Sequence, residues 1–349
     1  MNMKSGPQIK PLFVKLLFAG LFPLLILLLF LIFDPFKIIR PHESYSYSPV
    51  VLNRDFVSTE YLLNNYQKYN YNSFILGNSQ TLGFLTTDWV EHLPAEANPY
   101  HYDASGEVLY GLAAKVKLLD KKEINIQHAI LLINEDILYE TTEVGDGHIF
   151  QKHPAISQKP TLPFYLNFVK IFYQKFFFVK YLDHLFTGVY KPYMKGFLES
   201  RKVVYTAVHN DLILEDMEFV VSHSPDSFYS ANQQLFNRRD TLNLDTADSF
   251  THPSQVFLLT EIRNILRKHQ SDYRIVIAPS YFGRISNPKN VQMLQTIFGK
   301  DRVYDFSGMN EFSRYKENYY DLVHFRPLVG KEIMKEIYAT KPASYPVIQ

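Results

Sequence analysis

The chain contains no cysteine, which excludes thiol nucleophiles, disulfide frameworks and every thiolate-ligated zinc or iron–sulfur site while leaving the compartment open. Glycine is scarce, 14 in 349 residues, and no glycine-rich phosphate loop occurs. An excess of one charge is also missing. The 36 Lys and Arg stand against 35 Asp and Glu, a formal net charge of +1, so the chain lacks the basic excess that gripping nucleic acid through its phosphates requires. His101, His148, His153, His209, His223 and His252 are scattered, with no H-E-x-x-H or comparable ligand spacing, so no metal and no cofactor is expected.

What is present is apolar and aromatic. A hydrophobic share of 46% with 20% charged residues fits a folded chain rather than a disordered, collagen-like or multi-spanning one, and the length allows one large domain with insertions or two modest ones. A single Trp accompanies 28 Phe and 25 Tyr, a bias equally suited to core packing, carbohydrate contact or a membrane interface. From Leu16 to Phe33 run 18 consecutive uncharged residues, LLFAGLFPLLILLLFLIF, which as a helix at about 1.5 Å per residue reach roughly 27 Å, close to a bilayer core. A cleaved signal peptide is the competing reading, but the run exceeds the usual apolar core of about 7–15 residues and no small-x-small site precedes Asp34-Pro35. Lys4, Lys10 and Lys15 before the run favour a cytoplasmic N-terminus and an extracytoplasmic remainder.

The expected organisation is a cytoplasmic N-terminus over 1–15, a transmembrane helix over 16–33, and a stalk-like connector over 34–70 with a short helix near Glu60–Tyr69. Then follows an α/β domain in two parts, 71–138 and 251–349, around a mainly helical insertion over 139–250. Strands are expected at Ser73–Gly77, Tyr100–Ala104, His128–Asn134, Tyr273–Ala278 and Arg302–Phe306. Helices are expected at Thr81–His92, Glu107–Lys121, Pro253–His269, Asn287–Phe298 and Pro327–Tyr338. Five strands with intervening helices predict a doubly wound parallel sheet, with active residues beyond its carboxyl edge. Within the insertion, the aromatic, lysine-dotted stretch Phe164–Phe186 reads as a helix packed over the α/β core with its lysines in water, the membrane surface being the other reading.

Ser79 follows the first strand in Ile75-Leu76-Gly77-Asn78-Ser79-Gln80, where a tight strand-to-helix turn projects a hydroxyl at the sheet edge; it equally suits a helix cap. Asp321 and His324 stand three residues apart before the last helix, close enough for the carboxylate to fix the imidazole tautomer while the imidazole takes a serine proton. A capping aspartate beside a surface histidine has the same spacing. Gly106 in Asp103-Ala104-Ser105-Gly106 can present its N–H to a ligand, and Asn134 at the end of the third strand can offer an amide. A turn glycine and a strand-end Asx turn are their ordinary alternatives. Asp305 is a second acidic candidate, better suited to a turn in Asp-Phe-Ser-Gly.

In this order the four blocks resemble the SGNH, or GDSL-like, hydrolase superfamily over about 74–136 and 253–339. The N-terminal apolar run, Ile-Leu-Gly-Asn-Ser, and Val303-Tyr304-Asp305-Phe306-Ser307-Gly308 with Tyr320-Asp321-Leu322-Val323-His324-Phe325-Arg326-Pro327 look like its membrane-anchored branch associated with bacterial cell-surface polysaccharide acylation. The resemblance implies an SGNH/flavodoxin-like fold, catalytic Ser79, His324 and Asp321, and an oxyanion hole from Ser79, Gly106 and Asn134. It implies a serine esterase or O-acyltransferase acting on cell-surface glycan, at the inner membrane with its α/β domain in the periplasm, beside a membrane-bound O-acyltransferase. Two blocks depart from the family pattern. Asn78 stands where Gly-Asp-Ser has its aspartate, and Ile133-Asn134-Glu135-Asp136 lacks the glycine of Gly-x-Asn-Asp. Glu135 beside an oxyanion is unfavourable unless it points away. The altered third block and the aromatic richness motivate a second expectation, a non-catalytic glycan-binding or assembly subunit. A Ser79–His324 separation beyond about 5 Å favours that second expectation.

Overall fold

A computed structural model describes residues 9–143, 147–237 and 252–339, with side chains from Gly20 onward. The chain divides into two compact units, a smaller one of Met1–His42, Ser48–Leu52 and Thr161–Ser200 and a larger one of Glu43–Tyr47, Asn53–Pro160 and Arg201–Gln349. In chain order the strands are β1 (Ser73–Leu76), β2 (Pro99–His101), β3 (His128–Leu132), β4 (Val203–Tyr205), β5 (Leu212–Leu214), β6 (Asp272–Ile277) and β7 (Val303–Asp305). The longer helices are α1 (Ile9–Phe33), α2 (Arg54–Tyr69), α3 (Leu109–Lys121), α4 (Thr161–Tyr173), α5 (Phe177–Thr187), α6 (Glu215–His223), α7 (Pro253–Lys268), α8 (Pro288–Phe298) and α9 (Pro327–Ala339).

The larger unit holds a five-stranded parallel sheet in the order β2-β1-β3-β6-β7. Its central strands are unbroken apolar runs because they are covered on both sides: all of β1 and all of β3 after His128 are buried. On α3, Leu112, Val116 and Leu119 line the face that meets the core, with Val108 buried just before it. The chain leaves β1 to one side for β2 and returns to the other side for β3, so the carboxyl ends of β1 and β3 flank the switch point where ligands bind in open α/β sheets.

Four expectations about the fold change. The helix expected at Thr81–His92 is three short pieces, Ser79–Gly83, Thr86–Trp89 and Val90–His92, too short for periodicity to register. The connector over 34–70 is not a stalk throughout. Helix α2 begins at Arg54, capped by the Asn53 side chain, and buries Arg54, Asp55, Phe56, Val57, Ser58, Thr59 and Leu62. Its first turn hides from a hydrophobicity pattern because buried ion pairs hold it: Arg54 to Asp103 at 2.7 Å, and Asp55 to Lys115 at 3.4 Å and Lys152 at 3.3 Å. The insertion over 139–250 is divided. Its residues 161–200 group with α1, while 201–237 belong to the larger unit and include the antiparallel pair β4–β5; residues 238–250 lie outside the described residues.

In the smaller unit, Phe164–Phe186 is two helices rather than one, and its partner is α1 rather than the sheet. Phe164, Phe168 and Phe172 recur every four residues on the buried face of α4. Phe172 meets Phe30 with ring centroids 5.5 Å apart, and Phe36 packs between Phe168 and Phe177 at 5.2 and 5.3 Å. The expected membrane span, Leu16–Phe33, lies inside α1, with the side chains of 16–19 outside the described set. Among the described residues no helix is long and apolar enough to cross a membrane.

Candidate active site

The first block is a turn built to leave one hydroxyl outside. After β1 the Asn78 side chain accepts from the Gln80 N–H at 3.0 Å, and the Asn78 carbonyl accepts from the Thr81 N–H at 3.0 Å and the Thr81 hydroxyl at 2.8 Å. Asn78, Gln80 and Thr81 are buried and Ser79 alone stays partly exposed. As the first residue of the 3-10 turn, Ser79 carries one of the N–H groups that intrahelical bonding leaves unused.

The fourth block is held as firmly. Asp321 Oδ1 accepts from the N–H groups of Val323 and His324, each at 2.9 Å, and the Tyr320 N–H donates back to the His324 carbonyl at 2.9 Å. Arg326 donates to Glu218 of α6 at 2.6 Å, and the Tyr320 hydroxyl donates to the same carboxylate. Glu218 is raised by burial, but the Arg326 and Tyr320 bonds outweigh this and hold it below the ordinary glutamate range.

Contact between the two blocks is backbone against backbone. A Cβ on Gly330 of α9 would sit 1.9 Å from the Gly83 carbonyl oxygen, and one on Gly83 would strike the Phe325 ring at 2.2 Å. These two glycines let the last helix close onto the serine turn. The result is a chain of contacts: Ser79 Oγ lies 2.8 Å from His324 Nε2, and His324 Nδ1 lies 2.7 Å from Asp321 Oδ2. Burial alone raises the Asp321 carboxyl, but the hydrogen bond and charge of His324 and the two loop N–H groups hold it below the ordinary aspartate value.

The serine and histidine open on a pocket of about 210 Å³, also lined by Gln80, Gly106, Glu107, Asp136 and Val323. Gly106 lies at φ +57°, a left-handed position, with the Phe150 ring 2.9 Å from where a Cβ would be. Glu107 brings little net charge to the pocket, because it is buried and paired with Lys115 at 3.0 Å and with Lys152.

Ser79, Gly106, Asp321 and His324 are thus brought together, and Asn134 is not among the pocket's lining residues. Its Oδ1 caps the short helix Glu135–Tyr139 by accepting from Ile137, and its amide donates to Gln80 Oε1. Gln80 Nε2 in turn donates to the Val323 carbonyl at 3.1 Å. Sequence reasoning missed Gln80, whose side chain bonds both the third and the fourth block; a polar residue directly after the serine was the available signal. Glu135 points away, its carboxylate accepting from the Asn287 N–H at 2.9 Å and the Asn290 amide at 2.6 Å at the start of α8. Asp305 takes the turn role, accepting from the Ser307 N–H at 2.9 Å. Among the described residues no group of three or more carboxylate or imidazole ligands converges on a metal position.

No protein-family model matches this chain, and no curated protein matches it either.

Proposed function

We propose that the protein is a membrane-anchored, SGNH-type serine acyl esterase or O-acyltransferase acting on extracytoplasmic glycan. The observation that carries this reading is the Ser79–His324–Asp321 chain, 2.8 and 2.7 Å at its two contacts, opening on a pocket. In this mechanism Ser79 Oγ attacks an acyl carbonyl while His324 Nε2 takes its proton, and Asp321 keeps the imidazole in the tautomer that can accept it. The N–H groups of Ser79 and Gly106 stabilise the oxyanion. His324 then protonates the departing alcohol, leaving an acyl ester on Ser79. In the second half His324 deprotonates the incoming acceptor, which attacks that ester, and the proton returns to Ser79. Water as acceptor gives hydrolysis and a sugar hydroxyl gives transfer.

The apolar run Leu16–Phe33 supports an anchor in the inner membrane, and the preceding lysines support a cytoplasmic N-terminus with the α/β unit in the periplasm. The resemblance to the polysaccharide-acylating branch supports transfer and a membrane-bound O-acyltransferase as partner. The alternative, a non-catalytic glycan-binding or assembly subunit, is disfavoured by the Ser79–His324 contact.

The test is turnover of p-nitrophenyl acetate by the detergent-solubilised full chain beside its Ser79→Ala and His324→Ala variants. Activity lost in both variants with unchanged circular dichroism supports the serine mechanism. Full activity in Ser79→Ala removes this serine from the chemistry.

A further inference from the structure

The helical pair α4–α5 has no role in the chemistry proposed above, yet among the described residues it carries the three most exposed large apolar side chains, Phe186, Phe176 and Leu162. Leu162 and Leu166 of α4, Phe176 at the tip and Val179, Leu185 and Phe186 of α5 are exposed, Phe176 to 71% and Phe186 to 80%. Meanwhile Phe164, Phe168, Phe172, Phe177 and Tyr181 face inward. An amphipathic hairpin in water shows the reverse pattern on its outer side, with charge and not phenylalanine facing solvent.

Its contacts with α1 and the turn that follows it run in order. Phe36 meets Phe168, Phe30 meets Phe172, and Phe22 meets Phe178 with centroids 6.2 Å apart, while the Tyr173 hydroxyl donates to the Pro23 carbonyl. Thus α4 descends antiparallel to α1, and the turn at Gln174–Phe176 lies at the level of Phe22 and Pro23. From Phe33 to Phe22 is eleven residues, roughly 16 Å of helix, which is more than half of the roughly 30 Å hydrocarbon core. Whatever medium surrounds this stretch of α1 also surrounds the hairpin packed on it.

We propose that α4–α5 is a re-entrant hairpin seated in the same lipid bilayer as α1, entering and leaving on the side of the α/β unit. This inference rests on the anchor reading above. Its lysines and its aspartate have local partners or a route out. The Lys180 ammonium lies 3.0 Å from the centroid of the Phe197 ring, and Asp183 pairs with Lys191 at 2.7 Å. Lys175, at the tip, lies about six residues of α1 from the end of the apolar run, near enough for its flexible stem to carry the ammonium toward the cytoplasmic headgroups. Lys170 on α4 is exposed and carries the same flexible stem.

The absence of cysteine makes the test direct, because every introduced thiol is unique. Nitroxide labels are placed on the full chain at Phe176→Cys, at Leu25→Cys on the exposed side of α1 and at Tyr315→Cys on the exposed surface of the larger unit. Each variant is reconstituted in phosphatidylcholine and phosphatidylglycerol vesicles. Collision with oxygen, which concentrates in hydrocarbon, is compared with collision with a polar nickel chelate. The expected result is that Phe176 follows Leu25, with nickel collisions about tenfold or more below those at Tyr315, since polar solutes are excluded from the bilayer core. Lipid exposure at Leu25 with aqueous exposure at Phe176 overturns the hairpin while leaving the anchor standing. Aqueous exposure at Leu25 overturns both. Exclusion of both reagents at Phe176 identifies protein, a second copy of this chain, as the cover and overturns the lipid assignment. Because Phe176 is so exposed, its substitution removes little packing, and Phe186→Cys repeats the measurement on the other helix.

Discussion

Two carboxylate–imidazole–hydroxyl chains converge on the same turn, two residues apart. One is Asp321–His324–Ser79. The other is Asp211–His101–Thr81, in which the His101 ring nitrogens lie 3.1 Å from Asp211 Oδ1 and 2.9 Å from Thr81 Oγ1. The chemical groups match and the distances nearly match, yet His101 and Thr81 are wholly buried whereas Ser79 and His324 open on a pocket. Access is what separates the proposed nucleophile from a strut. The buried chain locks Thr81, whose hydroxyl and N–H both donate to the Asn78 carbonyl, and so sets the backbone from which Ser79 projects. Asp211 also binds the Thr86 N–H and hydroxyl, so the insertion contributes a residue that braces the serine turn.

The largest effect should come from interchanging the fates of the two hydroxyls. Ser79→Ala should lower ester turnover by about 10⁶-fold, the scale seen when a triad nucleophile is lost, with the urea midpoint unmoved. Thr81→Val should do the opposite, lowering stability by about 1–3 kcal/mol through a buried hydrogen-bonding network left unmatched. Urea titration with turnover measured on the folded fraction separates the two, and a Thr81→Val enzyme as dead as Ser79→Ala would erase the distinction. Next in size is Asp321→Asn, which keeps the shape but offers His324 an amide and so permits the wrong tautomer. A fall in kcat of about 10³–10⁴-fold is expected with KM little changed, and stopped assays at several substrate concentrations test this.

Gly330→Ala probes what brings the blocks together. Its Cβ would meet the Gly83 carbonyl at 1.9 Å, forcing α9 outward, with an expected cost of about 1–3 kcal/mol and a lower kcat from a longer Ser79–His324 contact. A thermal scan showing no loss would mean that α9 is not set by this contact. The smallest effect is the response to acid. Asp55 is raised by burial, but Lys115 and Lys152 beside it hold it down at about 2, and Asp321 is depressed by His324. A carboxylate depressed in the folded state stabilises above its unfolded pKa of about 3.9. That contribution is lost as pH falls through the folded value, so stability should decline from about pH 4 toward 2. Denaturation midpoints from pH 6 to 2.5 test it; substituting Asp55 by Asn should flatten the slope more than Asp321→Asn does.

The positions of the central strands were legible because strands covered on both sides are mostly apolar, and such runs stand out in SFIL, HAILL and the IVI of β6, whereas their order in the sheet came only from the structure. Ser79, Asp321 and His324 were legible because their blocks combine rare placements, a hydroxyl after a buried strand and an Asp-x-x-His before a helix. Asn134 misled for a reason visible only in space. Its strand-end position suits an amide donor, but Gln80, 54 residues earlier, accepts from that amide and holds it outside the pocket's lining. Nor could spacing find the buried chain, since Asp211 lies 110 residues beyond His101 and in the middle of the insertion.

Local sequence therefore determined where the five strands of the parallel sheet lie, where the apolar run lies and which hydroxyl, imidazole and carboxylate stand beside those strands and the last helix, because these follow from periodicity, composition and near-neighbour spacing. Tertiary structure alone decided which hydroxyl meets which imidazole, which of two similar chains opens on a pocket, and that the aromatic hairpin pairs with α1. Those outcomes depend on burial and on contacts between distant segments. They turn on a few ångströms of approach, such as the space that Gly83 and Gly330 leave for one another, and no single segment carries that information.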